Sequence, residues 1–206
     1  MRVHVADHPL ITHKLTVLRD QSTPSATFRA LTEELVTLLA YEATRHVRTH
    51  EVTIQTPVAQ TTGLAISEPR PLIVPILRAG LGMLQPFHDI FPDVSVGYVG
   101  LERDHETAIA RSYYCKLPPL AEARVLVVDP MLATGGSAAQ ALTLVKAQGA
   151  TEIGFVCIVA APEGVKTLQQ AHPEVPIHAG AVDRQLNSRK YILPGLGDFG
   201  DRLYGT

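Results

Sequence analysis

The sequence has little charge imbalance and no tryptophan. Its 206 residues carry 18 lysines and arginines against 20 aspartates and glutamates, so the formal net charge is −2. A protein that binds nucleic acid mainly through its phosphates needs a clustered excess of cations. The composition therefore argues against a nucleic-acid partner, and an anionic ligand has to be held by a local site.

Long apolar runs and paired cysteines are also missing. No run approaches the roughly 18 residues that suggest a membrane span, and the first residues lack the apolar region of a signal peptide. The two cysteines, Cys115 and Cys157, have no metal-type spacing and lie in apolar or aromatic surroundings, so we expect two buried free thiols. These absences predict a cytoplasmic protein with no membrane partner.

The most informative stretch that is present joins an apolar run to a glycine turn. Residues Arg124–Ser137 read RVLVVDPMLATGGS. The run before Asp129 has no polar alternation, which is typical of a parallel strand buried on both faces. Helix formers follow as far as Gly149. A strand, a glycine turn and a helix start present backbone N–H groups to a phosphate, so this stretch predicts a phosphate loop.

A second apolar run also ends in polar chemistry. Residues 71–83, PLIVPILRAGLGM, have no polar alternation until Arg78, which small residues then follow. In open α/β sheets ligands bind beyond the carboxyl ends of the strands. We therefore expect Arg78 and Asp129 to converge at one edge of the sheet.

The rest of the chain alternates predicted strands and helices. A short strand and a helical arm are expected in residues 1–22, and a helix capped by Ser22 or Thr23 should run from Pro24 to about Val47. Further strands are expected at 51–56, 94–101, 153–162 and 175–182, the last being the final strand, and helices at 81–90 and 162–172. Residues 57–70 are polar and turn-rich, and 102–119 should form a hood or flexible loop.

This order of elements predicts the fold class. Alternating strands and helices favour an α/β fold, with an open, mainly parallel sheet, helices on both faces and right-handed crossovers. The length and the 46% of hydrophobic residues suit a single domain over residues 1–206.

Several motifs together resemble one enzyme family. The stretch VLVVDPMLATGGS resembles the motif with which phosphoribosyltransferases bind 5-phospho-α-D-ribose 1-diphosphate (PRPP), in the variant of the uracil phosphoribosyltransferases. The segments HPLITHKLTVLRD, LLAYEAT, VPILRAGLGM, AAPEG and YILPGLGDFGDRLYGT are similar to the same family, in the same order along the chain. The resemblance implies the type I phosphoribosyltransferase fold with a hood, and the conversion of uracil and PRPP to UMP and diphosphate in pyrimidine salvage.

The resemblance also implies roles for individual residues. PRPP would be bound by Arg78, Arg103 and Asp198 and by the loop residues Asp129, Pro130, Met131, Leu132, Ala133, Thr134, Gly135, Gly136 and Ser137. Uracil would lie against Ile192, Gly197, Asp198 and Phe199, within a base-binding segment at 183–206. Asp198, Asp129 and Arg103 would be the catalytic residues.

The resemblance extends to a cofactor and to partners. Mg²⁺ is expected through the diphosphate of PRPP rather than in a site made by the protein alone. A homodimer or homotetramer is expected, with GTP as a possible effector.

The residue types suit this chemistry on their own terms. Loss of diphosphate from the anomeric carbon builds positive charge on the ribose and negative charge on the leaving group. Asp129 and Asp198 can face the first charge, and Arg78 and Arg103 the second. Uracil is neutral and needs a donor for its O4 atom and an acceptor for its N3–H group, which the backbone near Ile192–Phe199 can supply.

Some alternatives stay open at this point. A regulator on the same fold that binds RNA in response to UMP is one, and a related enzyme for a purine or for orotate is another. Orotate needs a cation facing its carboxylate, and Ile192–Phe199 contains none, with only Arg184 and Arg189 upstream. Phe199 stands where the family usually has a small residue, so it either packs away from the base or narrows the pocket.

Overall fold

A nine-stranded sheet forms the centre of the computed structural model, which describes residues 3–67, 71–103, 110–120 and 122–206. Its strands are β1 (Val3–Val5), β4 (Pro71–Leu77), β5 (Ser95–Val96), β6 (Tyr98–Arg103), β7 (Ala110–Lys116), β8 (Arg124–Val128), β9 (Met131–Leu132), β10 (Glu152–Ala160) and β11 (Ile177–Val182). Two further pairs of strands are separate from it: β2 (Thr49–Gln55) with β3 (Gln60–Ile66), and β12 (Gln185–Leu186) with β13 (Ile192–Leu193).

Helices join these strands. They are α1 (Pro9–Arg19), α2 (Ser25–Ala43), α3 (Leu84–Ile90), α4 (Gly136–Ala147), α5 (Pro162–Ala171) and α6 (Phe199–Tyr204), with a 3₁₀ turn at Ala79–Met83. The order of the main strands is β1-β11-β10-β8-β4-β6-β7, and β5 and β9 pair with β4 and β10. Every described pairing in this sheet is parallel except β6 with β7. The predicted α/β fold class is confirmed.

The central strand β8 shows why both faces of the sheet are covered. Leu126 and Val128 belong to one apolar cluster, which α1, α2, α3 and α6 complete. Val125 and Val127 point to the opposite face and belong to a second cluster with α4 and α5. Since successive side chains of a strand alternate between faces, an unbroken apolar run serves two cores at once.

The segment predicted as polar and turn-rich contains a strand. Residues Gln60–Ile66 form β3, which pairs antiparallel with β2 over its whole length, from Thr49 opposite Ile66 to Gln55 opposite Gln60. Most side chains on both strands are exposed. The cross-strand backbone hydrogen bonds, rather than an apolar core, define this hairpin, and for that reason hydrophobic periodicity revealed β2 but not β3.

Three boundaries also differ from the prediction. Neither Ser22 nor Thr23 caps α2, since Pro24 is the N-cap residue and the Thr23 hydroxyl donates instead to the Val17 carbonyl at 2.6 Å. The helix ends at Ala43 rather than near Val47. The predicted 81–90 helix is divided into the 3₁₀ turn and α3, with Pro86 in the first turn of α3, where no intrahelical N–H bond is lost.

The two cysteines have opposite environments. Cys157 lies buried on β10, and burial raises the pKa of its thiol, as does the nearby Asp129 charge to a smaller extent. Cys115 is exposed, because it lies on β7 at the end of the strand order. The prediction of two buried thiols is therefore wrong for Cys115.

The chain does not end its regular structure at β11, which was predicted as the final strand. The β12–β13 hairpin and α6 follow it. Residues 104–109, within the predicted hood, lie outside the described residues. Among the helices of the described ranges, none is long and apolar enough to cross a membrane.

A buried histidine at the amino ends of the strands should make stability depend on pH. His178 on β11 is 8% exposed and stacks on His4 of β1, with 5.0 Å between ring centroids. Burial, followed by the neighbouring His4 and Arg124, lowers the pKa of His178 from 6.5 to about 4. Between these values the unfolded chain binds a proton that the folded chain excludes, so stability falls as the pH falls.

We therefore expect H178Q to weaken the pH dependence. Between pH 6.5 and pH 4 the wild type should lose on the order of 2 kcal/mol of unfolding free energy through this group, and the variant should lose correspondingly less. Urea unfolding across this range measures the difference, with the exposed His13 changed to Gln as the matched control. Equal slopes for the wild type and H178Q would contradict the assignment.

Candidate active site

A cleft of about 200 Å³ lies at the carboxyl ends of the central strands. It brings together two segments that are far apart in sequence, one after β8 and one near the C-terminus. The residues that line it are Ala79, Asp129, Met131, Ala133, Lys190, Tyr191, Ile192, Gly197, Asp198, Phe199 and Gly200. Residues of the loop after β8 and residues of the C-terminal segment therefore line the same cleft.

A larger cavity, of about 580 Å³, lies at the amino ends of the strands, on the opposite side of the sheet from the cleft. Its main charges already face one another, since Arg124 lies 3.5 Å from Glu152 and Lys146 pairs with Glu174. Ligands of open α/β sheets bind at the carboxyl ends of strands. The smaller cleft is therefore the better candidate for the active site.

The loop after β8 turns alternate residues toward the cleft. Met131 and Ala133 line it, whereas Pro130 and Leu132 are buried. The Pro130 carbonyl accepts hydrogen bonds from the backbone of β10, at 3.0 Å from the Ile158 nitrogen. Asp129 is half-buried at the head of the loop, and its Oδ1 atom accepts a hydrogen bond from the Met131 backbone at 3.3 Å.

The loop continues into the first turn of α4. Gly135 is the N-cap residue, with a left-handed φ of 82°, a conformation that glycine adopts without steric cost. As a glycine, Gly135 has no side chain with which to cap the helix. The N–H groups of the first turn, beginning at Gly136 and Ser137, therefore point out of the helix at its positive end, where an anionic group is stabilised.

The turn after β4 packs directly against the start of this loop. A Cβ atom on Gly80 would lie only 2.7 Å from the carbonyl oxygen of Val128, the residue before Asp129. Arg78, joined to Leu77 by a cis peptide bond, is exposed at the carboxyl end of β4. Arg103 is the last residue of β6, which also pairs with β4.

The β12–β13 hairpin carries cleft residues that the sequence analysis missed. Its turn is held by Asn187, whose Oδ1 atom accepts hydrogen bonds from the Arg189 and Tyr191 backbones, both at 2.9 Å. Lys190 lies between them with a φ of 68° and lines the cleft. An asparagine at the start of a polar turn was the available signal, because its side chain commonly bonds to the backbone two residues on.

Lys190 also changes one inference about the ligand. No cation was expected close to the predicted uracil contacts, with only Arg184 and Arg189 upstream. Lys190, next to Tyr191 and Ile192, supplies one. The cleft thus contains a cation beside the predicted uracil contacts, so the expected lack of a positive charge no longer argues against orotate.

Helix α6 begins at the cleft and decides the orientation of Phe199. Asp198 is its N-cap residue, and the Oδ1 atom accepts a hydrogen bond from the Asp201 backbone at 3.0 Å. The Phe199 side chain is 2% exposed and packs edge-to-face on Phe28 of α2, with 5.3 Å between ring centroids. Phe199 is therefore mainly a core residue that ties α6 to α2, while it also forms part of the cleft wall.

The N-terminal arm anchors the C-terminal segment. The Arg19 guanidinium on α1 donates to the Asp183 Oδ1 and Oδ2 atoms at 2.7 and 2.8 Å, and to the Gly195 carbonyl at 2.9 Å. The Gly195 N–H donates to the same carboxylate at 2.8 Å. Arg202 of α6 donates to the carbonyls of Leu18 and Leu196. These charge-assisted bonds hold the C-terminal segment of the cleft in place.

The open parallel sheet, with an aspartate and a glycine loop at the end of its central strand, defines a phosphoribosyltransferase of type I. The adenine phosphoribosyl transferase of Trypanosoma brucei shares this fold, with a TM-score of 0.58 at 12% identity, over 91% of this chain and 86% of that chain. A protein of Aquifex aeolicus is much closer, with a TM-score of 0.93 at 38% identity, over 99% and 98% of the two chains.

The sequence relatives narrow the class to one family. The uracil phosphoribosyltransferase family model matches residues 5–206. The uracil phosphoribosyltransferase of Leifsonia xyli is 57% identical, with each chain covered in full. That of Streptomyces avermitilis is 54% identical, over 100% of this chain and 99% of its own. This chain belongs to the uracil phosphoribosyltransferase family, as its motifs predicted.

Removing the Arg19 guanidinium tests the anchor of the C-terminal segment. R19A leaves the buried Asp183 carboxylate without its bidentate partner, so the unfolding free energy should fall by about 3 kcal/mol. Urea unfolding measures this loss. R184A removes an exposed arginine next to Asp183 and should change stability by less than about 0.5 kcal/mol. Equal stabilities of the two variants would contradict the anchoring role.

Proposed function

We propose that this protein transfers the phosphoribosyl group of PRPP to N1 of uracil, forming UMP and releasing diphosphate. The observation that carries the proposal is the single cleft in which the loop after β8 meets the C-terminal segment, in a chain of the uracil phosphoribosyltransferase family. Each segment has the chemistry that one substrate requires. The reaction would serve pyrimidine salvage.

The loop residues 129–137 form the proposed site of the ribose 5-phosphate. The first turn of α4, with glycine as its N-cap residue, offers several backbone N–H donors to the phosphate, and Thr134 and Ser137 can add hydroxyl groups. Met131 and Ala133 face the ribose, and the buried Pro130 and Leu132 keep the loop attached to β10. Asp129 lies at the head of the loop, where its carboxylate can accept hydrogen bonds from ribose hydroxyl groups.

Electrostatic stabilisation is the proposed source of catalysis. Positive charge that develops on the ribose would be stabilised by Asp129 and Asp198, and negative charge on the diphosphate by Arg78 and Arg103. A pair of cleft carboxylates suits Mg²⁺ that is bound mainly by substrate phosphates, and no group of three ligating side chains occurs in the described parts of the chain. When bound with PRPP, Mg²⁺ would neutralise charge on the leaving group.

Uracil is proposed to lie against Ile192 and the turn from Gly197 to Phe199. Backbone groups at this turn can accept from N3–H and donate to O4, and the packing of Phe199 on Phe28 holds the turn in position. Because the recognition groups belong to the backbone, the large side chain of Phe199 is compatible with a base beside it.

The assembly and its regulation are proposed from the family resemblance and one structural feature. An isolated two-stranded hairpin is only marginally stable in water, and β2–β3 exposes Val58, Leu64 and Ile54. A second copy of the chain would cover these apolar residues, in a homodimer or homotetramer. GTP is proposed as an effector. A measurement of the mass in solution tests the oligomeric state, and initial rates measured with and without GTP test the effector role.

The cytoplasm is the proposed location. Both cysteines are free thiols, the state that the reducing cytoplasm maintains. The exposed Cys115 would be open to oxidation outside such a compartment.

Substrate choice gives the direct test of the function. Initial rates with PRPP should be substantial for uracil and about 10⁴-fold lower in kcat/KM for cytosine, whose donor and acceptor are reversed at both positions. Orotate belongs in the same assay because Lys190 lies in the cleft. Comparable turnover of cytosine would rule out the proposed base site, and preference for orotate would reassign the substrate.

The proposed catalytic role of Asp198 can be separated from its structural role as the N-cap residue of α6. Since Asn caps helices about as well as Asp, D198N should keep the unfolding free energy within about 0.5 kcal/mol of the wild type. Loss of the negative charge should lower kcat about 100-fold. Steady-state kinetics and urea unfolding measure the two quantities, and D201N, in the same helix turn, is the matched control. Unchanged kcat in D198N would remove Asp198 from catalysis.

A further inference from the structure

One motif has no role in the function proposed above. The segment AAPEG, residues 160–164, leads from the end of β10 into the first turn of α5. Glu163 and Gly164 do not line the cleft. They nevertheless contact both of its halves, through two adjacent residues of one helix turn.

Gly164 lies directly against the phosphate loop. A Cβ atom at this position would be 2.5 Å from the Ala133 carbonyl oxygen and 2.7 Å from that of Leu132. The contact is reciprocal, because a Cβ atom on Gly135 would be 2.7 Å from the Gly164 carbonyl oxygen. The three atoms nearest to a Cβ atom on Gly164 are all backbone atoms, so no flexible side chain can move aside to make room for it.

Glu163 contacts the β12–β13 hairpin, which carries a proposed uracil contact. Its Oε1 atom accepts a hydrogen bond from the Leu186 backbone N–H at 3.0 Å. This bond lowers the pKa of Glu163, and the positive charge of Lys190 contributes further. Leu186 on β12 pairs with Ile192 on β13, so the carboxylate supports the strand opposite a proposed uracil contact.

The two residues of this helix turn thus contact different halves of the cleft. We propose that Gly164 positions the PRPP loop and that Glu163 positions the β12–β13 hairpin, so that one helix turn sets the ribose phosphate and the base at the correct separation. This inference rests on the proposed phosphoribosyl transfer. Neither residue needs to touch a substrate, and both act through the backbone they contact.

Substituting these two neighbours should raise KM for different substrates. G164A has to displace the backbone of the phosphate loop, and we expect KM for PRPP to rise at least about tenfold with little change in KM for uracil. E163A frees the Leu186 N–H, and we expect KM for uracil to rise about fivefold with little change in KM for PRPP. E163Q retains a side-chain oxygen acceptor and should restore most of the affinity for uracil.

Matched variants separate positioning from general damage. K166A changes an exposed residue of the same helix. G154A adds a Cβ atom to a buried glycine near the amino end of β10, away from the cleft, where a movable Leu126 side chain is the nearest neighbour at 3.0 Å. Both controls should keep both KM values within about twofold of the wild type. Melting temperatures of all variants show whether they fold.

Hydrogen exchange of the ligand-free protein provides a readout that needs no activity. G164A should speed exchange in residues 129–137, and E163A should speed it in residues 185–193, each without the other. Both KM values moving together in both variants, or exchange rising equally in both segments, would overturn the inference. If the wild type fails to transfer phosphoribosyl groups at all, the proposed function is lost, and the exchange pattern alone decides for or against the positioning roles.

Discussion

The parallel pairing of β4 with β8 is the constraint on which the site depends. Pro75 lies opposite Val128 in this ladder, so Arg78 and Asp129 emerge from adjacent strands at one edge. Both strands are buried on both faces, and an uninterrupted apolar run is the only pattern that serves two cores. A shift of the register by one residue would exchange the faces of every side chain, so the cores themselves fix where the polar ends lie.

The two halves of the cleft share one apolar core, and polar contacts then orient the C-terminal half. Arg19 bonds to Asp183 and Gly195 on one side, and Glu163 bonds to Leu186 on the other. Hydrogen bonds of this kind are directional, so they fix distance and orientation more closely than apolar packing does. This is what a transfer reaction needs, because the anomeric carbon and the attacking nitrogen have to be aligned within a fraction of an ångström.

Large parts of the fold were predictable because they follow from local patterns. The apolar runs of β4, β8 and β10 predicted buried parallel strands, and the glycine turn after β8 predicted the start of a helix, which is α4. The β2–β3 hairpin was only half predicted, because its side chains are largely exposed and its stability does not come from a hydrophobic face. Cys115 was placed wrongly, since its apolar neighbours do not reveal that β7 is at the end of the strand order.

The sequence by itself determined the fold class, the family and the two segments that form the cleft, because each is encoded in contiguous residues whose pattern is independent of distant contacts. Only the tertiary structure decided the environment of Phe199, the presence of Lys190 in the cleft and the contacts of Glu163 and Gly164. Each of these depends on residues far away in the chain: Phe28 for the ring, the Asn187 turn for the lysine, and Leu186 and Ala133 for the helix turn. Contacts between distant segments arise from packing, and no local pattern records them.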